Sequence, residues 1–475
     1  MRYFGYTKKY EYVLFAISFI LGHSCFLAGQ EKTTPVAYDL KARIEPVSEL
    51  IFVRAQVNFP LGAVKAHDFK FNLHETFQIK KLLVNGKAAQ FTSAPNPSRV
   101  TPTAKAFTVT LPETTTGRQI QMEVDYEGKL KQLPEWGAPA DGPYFLDDQV
   151  NSRMVELAGY SSWFPQFDFG GPVEAHLELS LPQGWLAICS GVKKEERVQN
   201  GRVITEWYTP KDLDVLIAAS PNYKKLAAKQ MNVSVEIYYT QMPQDFLTRE
   251  INQIASAVRF YKEKLGDTTM PGGVVRQVYS PKRRGQGKAG IARPGLFLTS
   301  EGLTLESIAS DPRFSLFQPI AHEIAHSWWN FGIGQGDWIN ESFAEYFSAL
   351  AVRNASGEKE FQNIMSDYKK QVAELPSDAT PLATVPFMND NIGFVVRYYK
   401  GSVMLDNLRE IMGDGCFFDA SKAFFNTYAG KPTGTAEFRS FWKERLGDKK
   451  ELIDLWLDSK GGVPNLPVKR TSKLL

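Results

Sequence analysis

Between residue 35 and about residue 223, apolar and polar positions alternate in short runs: AYDLKARIEP, LIFVRAQVNF, FTVTLPE, QIQMEVDYEG, HLELSLP and RVITEWYTP, separated by Gly, Pro and Asn. A period of two sends neighbouring side chains to opposite faces of a strand, so these runs predict an antiparallel all-β domain of sandwich type. Near Met231 the rhythm changes. NVSVEIYYT reads as one more strand, and in DFLTREINQIASAVRFYKEKLG the residues Phe246, Ile251, Ile254, Ala257 and Tyr261 recur at helical spacing. VVRQVYS then reads as a short strand, PKRRGQGKAG as a basic glycine-rich loop and GLFLTS as an edge strand. From Asp311 the pattern is mostly helical. The expected organisation is an N-terminal β domain over 30–223, followed by an α+β, mostly helical domain over 224–475.

Length agrees with two domains, since 475 residues exceed what one ordinary core holds. A hydrophobic share of 43% with 23% charged residues describes a globular protein with ample core. The net charge of +3 gives no reason to expect nucleic acid as a partner, and KRRGQGK reads as a solvated loop. The first 29 residues stand apart. Lys8 and Lys9 precede an apolar run, Val13 to Gly29, that ends in small residues, the pattern of a signal peptide. The expectation is an exported protein, secreted or periplasmic. The run approaches spanning length, so membrane association enters only if residues 13–29 remain as an uncleaved anchor. Removing the segment leaves Cys189 and Cys416, too few for a disulfide framework, and their spacing does not say whether they pair.

Candidate chemistry concentrates in AHEIAHSWWN, 321–330, and DWINESFAEY, 337–346. His322 and His326 are four apart, so on a helix their imidazoles share a face and can address one metal ion. Glu323 lies one step round, where a carboxylate can take a proton from a metal-activated water, as HExxH does in zinc hydrolases. Two solvated histidines on a surface helix would give the same spacing. The flanks argue otherwise, because Phe314, Phe317, Ile320, Ile324 and Trp328 form an apolar stripe at helical spacing. Of six histidines, these two are the ones after residue 176; His67, His74 and His176 lie in strand text without ligand spacing. A third ligand must then be a carboxylate or Cys416, and the next helix offers Glu341 and Glu345, again four apart.

In order along the chain, WFPQFDFGGP at 163–172, AVRFYKEKLG, HEIAHSWW with WINESFAEY, RYYKG at 397–401 and WLDSKGGVPNLPV at 456–468 resemble the motifs of the aminopeptidase N family of gluzincin zinc metallopeptidases. The resemblance implies a thermolysin-like catalytic domain behind the β domain, one zinc ion and a peptide or protein substrate. It implies His322, His326 and Glu341 as metal ligands, Glu323 as general base and Tyr398 as the donor to the oxyanion. The loop after His326 is shorter than the family's. The family's count of intervening residues lands on Glu345, whereas its local words land on Glu341, leaving Glu345 in a supporting place one turn on. The family's GAMENPG stretch grips the substrate's free amino group with its glutamate. Here the text is AGIARPG, with Ala292 in the glutamate's place and Arg293 after it. Glu156 matches another family residue that binds the same amine. The resemblance therefore implies a relaxed or lost requirement for a free N-terminus, more so if Arg293 points into the cleft. It ends with the catalytic domain, without the large helical C-terminal domain of many relatives. The competing expectation is a non-catalytic binding protein with a vestigial zinc site.

Overall fold

The computed structural model describes residues 36–464, apart from 65–66, 98–100, 102, 112–117, 132–147, 168–172, 213, 269, 282–290, 333–335, 387–390 and 432. The expected signal segment and the KRRGQGK loop lie outside the described residues. The chain divides into two compact units, the first within Met1–Ala255 and Thr269–Ser327, the second within Ser256–Thr268 and Trp328–Leu475.

The first unit opens with the alternating runs, which form strands with one face inside. In Val36–Glu45 the buried residues are Val36, Tyr38, Leu40, Ala42 and Ile44, and in Leu50–Pro60 they are Ile51, Val53, Ala55, Val57 and Phe59. These two strands pair within an eight-stranded sheet. A four-stranded sheet containing Asp68–His74 and Ala104–Thr110 covers its apolar face, with Phe59 packed on Phe69 and Phe167 at centroid distances of 5.1 and 4.9 Å. That is the expected sandwich, with one correction. Val36–Glu45 runs parallel to Val173–Pro182, so the domain is not wholly antiparallel. A parallel pair needs a long connection, and no local pattern reveals which distant strand will fill the place. A further small sheet joins Leu186–Cys189, Ile217–Ser220, Met154–Leu157 and Gln149–Asn151, and it carries Glu156.

Beyond Lys224 comes a five-stranded mixed sheet in the order Lys224–Gln230, Val233–Tyr239, Val274–Ser280, Leu296–Ser300, Ile291–Arg293. Helix α1, Gln244–Leu265, is the crossover between the parallel strands Val233–Tyr239 and Val274–Ser280. Its buried residues include the five the spacing named. GLFLTS is not the edge strand. Leu296–Ser300 is flanked on both sides, and the edge is Ile291–Arg293, folded back through Pro294 and Gly295, whose φ of +69° suits glycine. Helix α2, Glu301–Ser310, follows, with the Ser300 hydroxyl accepting from the Leu303 N–H.

Glu250 of α1 is buried against Val274–Ser280, accepting the Tyr279 hydroxyl at 2.5 Å and the Gln277 amide at 3.0 Å. Burial outweighs these donors and lifts its carboxyl to about 7. The folded value lies above the unfolded one, so its stabilising contribution is full below about pH 4.5 and lost as pH rises through about 7. The loss amounts to about 3 kcal/mol by the usual conversion of a pKa difference. Glu250→Gln should flatten that part of the stability profile. Urea unfolding of both proteins at pH 5 and pH 8 checks it; parallel profiles would show that Glu250 does not titrate as described.

The second unit is helical around α4, Asp337–Ser356, in which every residue from Asp337 to Val352 is buried. Its apolar side is packed with rings, Phe343 stacking on Trp329 at 4.2 Å and on Phe424 at 5.7 Å, while Asp337, Glu341 and Glu345 are buried elsewhere on the same helix. Around it lie Glu358–Ala373, Gly401–Met412, Asp414–Tyr428, Thr435–Leu446 and Glu451–Asp458. Ahead of Gly401 the helix widens into a π turn over Val395–Lys400. A side chain at Gly401 would come within 1.7 Å of the Ser342 hydroxyl, so glycine lets the two helices touch. Cys189 is buried, Cys416 is exposed, and both are free thiols. Among the described residues no helix is long and apolar enough to cross a membrane.

Candidate metal centre

Helix α3, Phe317–Ala325, carries the first two side chains. It is shorter than the apolar stripe suggested. Pro319, which has no N–H to give, sits in its first turn, so Phe314 precedes the helix. At the other end the turn tightens: the His326 N–H reaches the Glu323 carbonyl at 3.3 Å and the Ser327 N–H reaches that of Ile324 at 2.9 Å. Trp328 therefore lies past the helix, buried, with its indole N–H on the Gly266 carbonyl at 3.0 Å. His322 and His326 remain one turn apart, and their Nε2 atoms approach to 3.2 Å. Two ring nitrogens at that separation direct their lone pairs at a shared proton or a shared cation.

One ligand atom each of His322, His326 and Glu341 lie within 4.8 Å of one another, and all three residues are buried. Among the described residues this is the one group of His, Cys, Asp and Glu so placed. Two imidazole nitrogens and a carboxylate oxygen suit zinc and leave a fourth position open, whereas magnesium or calcium would favour oxygen ligands alone. Glu323, next to His322, is buried on the same helix. Glu345 is buried but outside the group; the Tyr368 hydroxyl donates to its carboxylate. The local words point to Glu341 and the residue count to Glu345; of the two, Glu341 is the one grouped with the histidines.

Asp337, Glu341 and Glu345 recur every four residues on α4, and each buried carboxylate faces a partner within its own unit. Arg397 pairs with Asp337, and its Nη2 lies 3.8 Å from Glu341 Oε1. Burial works against the charge of Arg397, but Asp337, Tyr398 and Glu341 outweigh it and hold the guanidinium protonated. Tyr398 is hydrogen-bonded to Glu341. Burial first, and Glu341 second, push its phenol well above the ordinary value, so it remains a donor. The Asn340 side chain accepts the Gly332 N–H at 2.8 Å and donates to the Gly332 carbonyl at 3.1 Å, which fastens the chain beyond His326 to the start of α4.

The residues matched to amine binding lie in the first unit with α3. Glu156 is buried on Met154–Leu157, and Ala292 is buried on the edge strand opposite Phe297. That edge strand packs beside α3, and the Gly295 N–H meets the Ser327 hydroxyl at 3.2 Å. Arg293 is not turned toward a substrate amine. Its Nε and Nη2 bond the two carboxylate oxygens of Asp214 at 2.6 Å each, and both side chains are fully buried. Asp214 also accepts the Gly159 N–H at 2.8 Å, which joins the edge strand to the segment between Glu156 and WFPQF. Sequence reasoning missed Asp214, Asp337 and Arg397. Asp337 had a signal: a third acid at the four-residue spacing of Glu341 and Glu345 calls for a cation.

The fold is similar to the crystal structure of an M1 zinc metallopeptidase from Deinococcus radiodurans, with TM-score 0.70 and 18% identity over 92% of this chain and 97% of that one. Native yeast LTA4 hydrolase aligns with TM-score 0.67 and 18% identity, over 91% of this chain and 68% of that one. A β-rich first part and a helical second part match the fold of those structures, and the His, His, Glu group adds a donor set suited to zinc. Residues 293–457 match the family described as "Peptidase family M1 domain". Aminopeptidase N of Streptomyces lividans is 29% identical over 160 residues, which is 30% of this chain and 18% of that protein. Leucine aminopeptidase 2 of Eremothecium gossypii is 27% identical over 164 residues, or 31% of this chain and 26% of that protein. Over that stretch the chain is similar to aminopeptidases of the M1 type, and both the donor group and these relatives fit zinc as its cofactor. It spans about a fifth to a quarter of the length of the curated relatives it matches.

Proposed function

We propose that this chain is a zinc-dependent metallopeptidase that hydrolyses peptide bonds with a relaxed requirement for a free N-terminus. The convergence of His322, His326 and Glu341 carries the reading. These three side chains would hold the ion. Zinc bound there supplies Lewis acidity, lowering the pKa of a coordinated water and polarising a peptide carbonyl. Glu323, fixed one residue from His322, takes a proton from the attacking water; as the C–N bond breaks, it passes that proton to the departing nitrogen. The Tyr398 hydroxyl, here hydrogen-bonded to Glu341, would turn its single O–H to the carbonyl oxygen as negative charge develops there. Residues 1–29 read as an export signal, which would place the enzyme outside the cytoplasm.

Specificity follows from what stands where an amine would be held. Glu156 supplies one carboxylate, and Ala292 supplies none. Arg293, neutralised by Asp214, neither holds nor repels the ammonium. A hydrogen bond to a charged group contributes about 1.5–3 kcal/mol, or about 10- to 100-fold in discrimination, so one contact in place of two weakens the preference by that factor. The test is kcat/KM on a peptide and its N-acetylated twin. The expected preference for the free amine is about tenfold or less, and Ala292→Glu should raise it by about 10- to 100-fold. Failure to cleave either peptide would sink the metallopeptidase reading, and a preference of several hundredfold in the unmodified protein would sink the specificity argument alone.

A further inference from the structure

We propose that Arg397, tethered by Asp337, is a positioning residue that orients the Glu341 carboxylate for the metal; this rests on the zinc-site reading above. Asp337 and Glu341 are one turn apart on α4, and both are enclosed, at 1% and 0% exposure. Two carboxylates so placed repel each other in a medium that screens poorly, and side-chain rotation is the cheapest relief. The guanidinium of Arg397 meets both. Its Nη2 donates to Asp337 Oδ2, and the same nitrogen lies 3.8 Å from Glu341 Oε1.

Arg397 is itself fixed at two points, and both belong to α4. The Ser342 hydroxyl donates to the Arg397 carbonyl at 2.6 Å, and Asp337 holds the guanidinium. Glu341 lies between these anchors in sequence. A planar, permanently charged fork, tied to Asp337 at its tip while Ser342 pins the backbone from which it springs, is a fixed electrostatic reference for the carboxylate beside it. The 3.8 Å separation is too long for a hydrogen bond, so Arg397 attracts Glu341 without occupying the lone pair a metal would use. A lysine in its place would bring the charge without the fork, and a neutral residue would bring neither.

The experiment is the zinc dissociation constant, measured by competition with a chromophoric chelator, together with the melting temperature of the metal-free protein. Arg397→Met alone would strand the buried Asp337, so the informative variant is Asp337→Asn/Arg397→Met, which removes both members of the pair. It should bind zinc roughly 10- to 100-fold more weakly than the parent, the usual effect of losing a ligand's supporting partner. Arg397→Lys should recover part of that loss. A purely structural pair would lower the melting temperature and leave the zinc constant of the folded protein unchanged. Zinc binding by the double variant within about twofold of the parent, well below that range, overturns the proposal while leaving the zinc site intact. A parent protein that holds no zinc overturns both.

Discussion

Glu323→Gln is expected to bind zinc as the parent does and to hydrolyse peptides roughly 10²- to 10⁴-fold more slowly, the range a positioned general base contributes. The substitution preserves the shape of a side chain buried on α3 and removes its basicity. Its neighbours His322 and His326 are untouched, so metal content should stay near one ion per chain. The pairing of results is the point. A slow variant that had also lost zinc would make Glu323 part of the metal's support, and a variant with full turnover would remove the proton-transfer role altogether. Steady-state kinetics and metal analysis on the same preparation separate these outcomes.

The second large effect concerns the metal. His326→Ala should abolish zinc retention, because a site of three protein ligands loses one of its two imidazoles. Glu341→Ala should do the same, whereas Glu345→Ala should weaken binding by no more than about 10-fold, the lower edge for a supporting residue. The asymmetry follows from the structure: Glu345 receives the Tyr368 hydroxyl and lies outside the ligand group, while Glu341 lies within it. Dialysis against a chelator followed by metal analysis gives the order. Loss of zinc from Glu345→Ala with retention by Glu341→Ala would reverse the assignment.

What could be read from the chain divides by sequence distance. HEIAH was legible because helical spacing brings His322 beside His326; for the third acid that spacing left Glu341 and Glu345 open, and the resemblance of WINE to the family's words chose Glu341. The sandwich was legible because alternation in Val36–Glu45 and Leu50–Pro60 names the inward residues directly. The parallel partner of Val36–Glu45 was not, since Val36 pairs with Val173 and nothing near either residue records it. Arg293 shows the same limit at the site. Its orientation, which the sequence leaves open, is set by Asp214, 79 residues earlier, and the charge is buried in a pair. The edge strand was misassigned because AGIARPG looks like loop text, although a glycine with positive φ after Pro294 lets Ile291–Arg293 fold back on Leu296–Ser300.

The most direct test is peptide hydrolysis by the purified protein as zinc is withdrawn by a chelator and returned. About one zinc per chain is expected, with activity that falls in proportion to the zinc removed and recovers when zinc is restored. Hydrolysis that survives complete removal of zinc, or no hydrolysis of any peptide at full occupancy, would contradict the zinc-peptidase reading.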